Sequence, residues 1–246
     1  MHVTVVECQE VQTSWYRVRA ETLGGEVWTD GPLTWISGPD GMNLMFPPHV
    51  PRAALRRGVD RARDLGYDSV GVWLCTQVDT AALSGAGFER GWSPWWMTAP
   101  LAAITAPDDP RVELQFDTTD YDGEHVDYRD QLALTRTMPG TAWYAAAYAD
   151  PPSTQPASRR FAGRAWSFRD PGRGAVAGIF DMAVWPPFRR RGLGNSLLRT
   201  VCAAAAAAGA ERAVLNATPE GKLLYSRHGF TQIGEGITWW LHPAAR

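Results

Sequence analysis

The stretch WPPFRRRGLGNSLLRT, Trp185 to Thr200, sets three arginines and two glycines between an apolar run and a segment of helical pattern. Glycine lets a backbone turn tightly or approach another group closely, because it has no Cβ. Arginine is the side chain best suited to hold an anion. A helix N-terminus adds unpaired N–H groups and about half a positive charge. Gly192 and Gly194 stand where the preceding strand turns into the helix. The N–H groups of Gly192, Leu193, Gly194 and Asn195 can therefore meet a phosphate, with Arg189, Arg190 and Arg191 as charge-assisted donors. The physical expectation is a phosphate cradle. It is not a P-loop, which needs a Gly-Lys-Ser/Thr element. Nor is it the dinucleotide fingerprint, whose third glycine is replaced here by Leu197.

Working outward, FAGRAWSF and AVAGIFDMAV read as strands joined by the turn DPGRG. LLRTVCAAAAAA is an alanine-rich helix that Gly209 ends. AVLNA is the next strand, and PEGKLLYSRHGF carries a short helix. Strand, helix and strand in this order predict a parallel or mixed sheet.

AVWPPFRRRGLGNSLL, Ala183 to Leu198, resembles the acetyl-coenzyme A motif of the GNAT N-acetyltransferase superfamily, with Arg189, Gly192 and Gly194 in the defining places. AVLNATPEGKLLYSRHGF resembles the family's next strand and its Tyr-x-x-x-Gly-Phe ending. Together they cover about residues 175 to 230. The resemblance implies that the loop holds the pyrophosphate of coenzyme A. It implies that the two strands splay to admit the pantetheine arm, and that the backbone at Ala183 and Val184 holds the thioester carbonyl. Tyr225 matches the family's general acid, and Asn216 is placed to hydrogen-bond the pantetheine or that acid. For the base, Asp181 comes first and Glu220 second. Structural alternatives stand beside these roles. The loop can be a glycine-rich turn with solvated arginines, Tyr225 a core tyrosine, Asp181 the partner of an arginine, and Asn216 the end of a strand.

A weak internal repeat extends the resemblance to the whole chain. GYDSVGVWLCTQVDTAALSGAGFERGWSPWW, residues 66 to 96, parallels GAERAVLNATPEGKLLYSRHGFTQIGEGITWW, residues 209 to 240. Each runs glycine, apolar strand, short helix ending in Gly-Phe, and a strand with Trp-Trp. Upstream of the first copy, LTWISGPDGMNLMF reads as a hairpin and PRAALRRGVDRARDLG as a helix stopped by Gly66. There, FPPHVPRAALRRG lacks the Gly-x-Gly, and Leu83 stands where the second copy has Tyr225. The expected fold is α/β, a mixed twisted sheet flanked by helices and built as two GNAT-like halves. Residues 1–106 form a degenerate, structural half and residues 107–246 the catalytic domain, parted at the proline- and acid-rich APDDPRVEL.

The implied activity is direct transfer of an acetyl or other short acyl group from coenzyme A to an amine on a small molecule or peptide. A non-catalytic acyl-coenzyme A-binding module that regulates a partner is the alternative. Tyr225 together with Asp181 separates the two, since a pure binder needs neither. The acceptor is not legible in YDGEHVDYRDQLALTRTMPGTAWYAAAY, and TQPASRR reads as a mobile loop. Among 246 residues the net charge is −2, which argues against a nucleic-acid or anionic-membrane partner. Cys8, Cys75 and Cys202 form neither a disulfide framework nor a metal pattern, and no metal is expected. No cysteine lies in either motif strand, which favours direct transfer over a covalent acyl-enzyme. No segment resembles a signal peptide or a membrane span. The chain is expected in the cytoplasm, as a monomer or homodimer.

Overall fold

A computed structural model describes residues 2–38, 41–116, 132–151 and 160–242, with the side chain of Arg173 left out. The chain opens with helix α1 (Val5–Leu23), started by a capping box. Thr4 Oγ1 accepts from the Glu7 N–H at 3.2 Å, and the Glu7 carboxylate accepts from the Thr4 N–H at 2.7 Å. Strands β1 (Val27–Asp30), β2 (Leu33–Gly38) and β3 (Gly41–Met45) follow as an antiparallel meander. Helix α2 (Arg52–Asp64) crosses over to β4 (Val70–Cys75), which lies parallel to β3. Helix α3 (Ala81–Gly85), β5 (Glu89–Arg90) and β6 (Trp95–Pro100) complete the first half.

The second half repeats that order. After β7 (Val112–Gln115) and a short α4 (Ala133–Thr137), strands β8 (Ala142–Tyr148), β9 (Phe161–Arg169) and β10 (Val176–Val184) run antiparallel. Helix α5 (Leu193–Ala207) crosses over to β11 (Arg212–Ala217), parallel to β10. Helix α6 (Pro219–Ser226) and β12 (Thr231–Leu241) follow. The mixed α/β architecture agrees with the expectation, as do the hairpin at β2–β3 and the helix stopped by Gly66. The TQPASRR loop, apart from Arg160, and residues 121–131 of the segment YDGEHVDYRDQLALTRTMPGTAWYAAAY lie outside the described residues.

Contacts divide the chain into two compact units, and neither is one continuous stretch. One comprises Tyr16–Trp96 with Ile233–Arg246 and has strand order β1-β2-β3-β4-β12, with β5 on β12. Its core gathers Leu33, Trp35, Leu44, Leu55, Val72 and Leu74. The other comprises Met1–Trp15 with Met97–Gln232 and has strand order β6-β11-β10-β9-β8-β7. The cut expected at 106/107 therefore does not coincide with the division into units. The last strand of each half joins the sheet of the other, and the first three turns of α1 belong with the second half.

In this second unit, side chains alternate between the faces of β9. Ser167 faces α5 and donates to the Val201 carbonyl at 2.9 Å. Its neighbours Trp166 and Phe168 turn the other way, onto Trp15 of α1, at ring separations of 5.3 and 5.5 Å. Trp15 also stacks on Phe180 of β10, 5.3 Å away and 6° from parallel. The sheet thus has α5 on one face and the start of α1 on the other.

Candidate active site

The site begins where β10 leaves β11. The two strands pair from Val176–Arg212 to Gly178–Val214 and no further, although β10 continues to Val184 and β11 to Ala217. β10 keeps its other neighbour, resuming at Ala183–Arg164 and Val184–Gly163 after an irregularity that follows Phe180. That irregularity is a β-bulge, and Asp181 within it has φ +49°. A fork therefore opens between two parallel strands, with unpaired edges facing each other. The splayed strands implied by the resemblance are present.

The cradle lies just beyond the longer prong. After Trp185 a single 3-10 turn (Pro186–Phe188) leads into the arginines. Arg189 Nε donates to the Val184 carbonyl at 3.0 Å and so ties the loop back to the strand end. Arg190 at φ +61° and Gly192 at φ +83° wind the backbone into α5. The first helical bond runs from the Ser196 N–H to the Gly192 carbonyl at 3.1 Å, and no side chain caps the helix. The N–H groups of Leu193, Gly194 and Asn195 thus lie at an uncapped terminus beside three exposed arginines. A Cβ on Gly192 would point into open space, whereas on Gly194 it would touch Leu224, Met182 and Val184 at 3.4 to 3.8 Å. Gly192 is favoured by its left-handed backbone angle.

Behind the cradle, the segment read as the boundary between the halves holds α5 in place. Arg111 grips Asp109 with two bonds of 2.9 Å and also donates to the Arg191 carbonyl at 3.2 Å. The Asp109 carboxylate accepts from Ser196 Oγ at 2.7 Å, in the first turn of α5. The Arg111 guanidinium, helped by Ser196, holds Asp109 down to a pKa of about 2.

Tyr225 lies on α6, 9% exposed, with its ring 5.8 Å from Phe230. Burial pushes its hydroxyl up to about 12. Asn216, past the last residue of β11 that pairs with β10, donates to Gln12 Oε1 of α1 at 2.7 Å. Asp181 accepts from Nε and Nη2 of Arg164, both at 2.8 Å. Arg164 is 8% exposed and its guanidinium lies 5.3 Å from the Trp185 ring, while Asp181 remains 38% exposed. The partnership with an arginine, named above as the alternative for Asp181, is present. Glu220, in the first turn of α6, is exposed. Cys8 and Cys202 are buried, and burial pushes both thiols up to about 12.

Among the described residues, no cluster of histidine, cysteine or carboxylates could hold a metal ion, and no helix is long and apolar enough to cross a membrane. Gln12, Arg164 and the Asp109–Arg111 clasp were not anticipated from the sequence. The only local signal among them is the Thr-Val-Val-Glu capping box that starts α1 and so carries Gln12.

With this geometry in view, the model of the acetyltransferase (GNAT) domain matches residues 156–232. Over these residues the chain is similar to a GNAT acetyltransferase domain. The match spans β9, the bulged β10, the arginine-glycine loop, α5, β11 and α6, which together are the fork and its cradle. No curated protein matches the chain in sequence. Solved structures share the fold at low identity. A GCN5-related N-acetyltransferase from Kribbella flavida superposes at TM-score 0.61 with 13% identity, covering 99% of this chain and 98% of its own. One from Sphaerobacter thermophilus gives 0.54 and 16%, over 86% and 77%. A tandem GNAT protein from the clavulanic acid biosynthesis pathway gives 0.50 and 13%, over 86% and 79%. The likeness to the Kribbella protein extends over nearly all of the chain and so takes in the segments outside the matched GNAT domain.

Proposed function

We propose that the GNAT domain moves an acetyl or other short acyl group from coenzyme A to the amine of a small molecule or peptide by direct attack. The observation that carries this is the fork between β10 and β11 standing next to an uncapped, arginine-flanked helix terminus. An elongated ligand with an anionic end and an apolar arm fits that pair of features, and coenzyme A is such a ligand. The N–H groups from Gly192 to Asn195, with Arg189, Arg190 and Arg191, hold the pyrophosphate. The backbone at Ala183 and Val184 receives the thioester carbonyl.

The amine nitrogen attacks the thioester carbon, a C–N bond forms and the C–S bond breaks. At neutral pH only about one part in a thousand of an amine with pKa near 10 is neutral. A group that accepts its proton is therefore useful, and we assign Asp181 to it. Arg164 fixes the orientation of that carboxylate, which is partly exposed and keeps lone pairs beyond the two that Arg164 occupies. Tyr225 keeps its proton at neutral pH, because burial holds the hydroxyl far above that range. It donates to the departing sulfur. Neither buried cysteine is suited to carry an acyl group, since a thiol held up to about 12 is not a thiolate at neutral pH.

The first half serves as a scaffold in this proposal. Pairing of β3 with β4 runs to Met45, the last residue of β3, and the Phe46 N–H bonds on to the Trp73 carbonyl at 2.9 Å. No fork opens there, and the residue in the place of Tyr225 is the fully buried Leu83. Calorimetry with acetyl-coenzyme A tests the proposal. Gly192→Val and Gly194→Leu should each weaken binding tenfold or more, about 1.4 kcal/mol. Wild-type affinity in both variants would remove the cradle. Release of free thiol across an amine library then identifies the acceptor.

A further inference from the structure

Helix α1 lies across β10 at the place where the fork opens. Gly178 is the last residue of β10 that pairs with β11. A Cβ there would overlap the Phe180 ring and come within 2.9 Å of Val11 Cγ1, so only glycine lets α1 approach this closely. Trp15, one turn further along α1, stacks on Phe180. Between Val11 and Trp15, Gln12 reaches Asn216 on the other prong.

Gln12 is 1% exposed. Its Oε1 is occupied by Asn216, but its Nε2 is buried and has no hydrogen-bond partner among the described residues. A buried donor left unpaired is costly, and folded proteins retain few of them. Both atoms belong to one planar amide, so the idle donor sits at the fork beside Asn216. An amide N–H seeks an oxygen. The acceptor amine is not its partner, because the nitrogen lone pair has to stay free to attack.

We propose that Gln12 Nε2 donates to a carbonyl oxygen of the acyl-coenzyme A threaded through the fork, while Asn216 fixes the orientation of the Gln12 amide. This rests on the acyl-transfer function proposed above. Two carbonyl sources share the chemistry, the thioester and the amides of the pantetheine arm. Gln12 lies 204 residues from Asn216, outside the matched GNAT domain. The half that lacks a fork of its own thus supplies a binding group to the other.

Two variants separate this role from a purely structural one. Gln12→Met keeps the volume and removes both polar atoms. Gln12→Glu keeps an oxygen for Asn216 and, when ionised, replaces the donor with a second, negatively charged acceptor. Calorimetry at pH 7 with acetyl-coenzyme A, on variants shown by circular dichroism to be folded, should find both weakened about fivefold or more. Equal weakening with coenzyme A itself assigns the oxygen to the pantetheine arm, and weakening with acetyl-coenzyme A alone assigns it to the thioester. If Gln12→Glu binds both probes like wild type, Gln12 does no more than hold Asn216 and the inference is overturned. Should Gln12→Met fail to fold, the isosteric Gln12→Glu decides by itself. A wild-type chain that binds neither probe would instead bring down the acyl-transfer proposal as a whole.

Discussion

Tyr225 and Asp181 are the residues on which the proposed chemistry turns, and they differ in how much structure they support. Tyr225→Phe removes one hydroxyl and little volume from a buried site. Acetyl-coenzyme A affinity should hold while turnover falls about 10²-fold or more, as steady-state kinetics and calorimetry on one preparation would show. Asp181 sits in a left-handed conformation at φ +49°, which asparagine tolerates well. Asp181→Asn therefore removes the charge and leaves the bulge. The buried Arg164 loses its ionic partner, and stability should drop by about 1–3 kcal/mol in urea unfolding. If Asp181 is the base, the variant's rate defect is largest at low pH, where the amine is protonated, and shrinks as pH rises toward the amine's own pKa. A defect of constant size across the profile would make Asp181 a positioning residue. Arg189, Gly192, Gly194 and Tyr225 were legible because each belongs to a motif contiguous in the chain. Gln12 and Arg164 were not, because their partners Asn216 and Asp181 lie 204 and 17 residues away, and only folding brings them together.

Helix α5 has no side-chain cap at its N-terminus, and the segment before β7 stabilises it from behind. Asp109 receives Ser196 from the first turn, where a negative charge complements the helix dipole. Arg199 fastens the same segment by donating to the Thr105 carbonyl at 2.9 Å and to the Ala106 carbonyl at 3.3 Å. APDDPRVEL reads in sequence as a boundary, because proline and acid mark loops. Nothing in that composition reveals that its second aspartate clamps a helix. Asp109 has its pKa depressed to about 2 in the folded chain, against about 3.9 unfolded. The stability it contributes is complete above pH 4 and is lost as pH falls from about 4 to 2. Asp109→Asn should cost about 1–2 kcal/mol at pH 7. Urea unfolding at pH 7 and pH 2.5 should show the gap between variant and wild type narrowing. A gap that persists unchanged at pH 2.5 would mean the ion pair contributes little. Cys8 and Cys202, buried in α1 and α5, should resist a thiol reagent in the native protein while the half-buried Cys75 reacts. Labelling of either buried thiol at the rate of Cys75 would show that these helices open readily.

At the scale of the whole chain, the repeat of strand, helix, strand and short helix was readable because each copy carries its own periodicity and stop signals. The exchange of strands was not, because β6 and β12 look alike in sequence and either could follow its own half. In the structure β6 adjoins β11, and Thr98 Oγ1 donates to the Ala213 carbonyl at 3.0 Å. β12 pairs with β4 from Gly236–Cys75 to Leu241–Val70. A fragment beginning at residue 107 therefore lacks the strand beside β11 and the α1 residues that cover Trp166, Phe168 and Phe180. It would expose an open sheet edge and a contiguous aromatic face, both of which promote aggregation. Expressed alone, residues 107–246 should be insoluble. Co-expressed with residues 1–106, they should return to solution as a complex that binds acetyl-coenzyme A. Binding should saturate at one ligand per pair of fragments, as in the intact chain, because β3 and β4 leave no fork in the first half. A soluble 107–246 fragment that binds acetyl-coenzyme A unaided would show that the exchanged segments are dispensable. A stoichiometry of two would show that the first half holds a second cradle in spite of its closed strands.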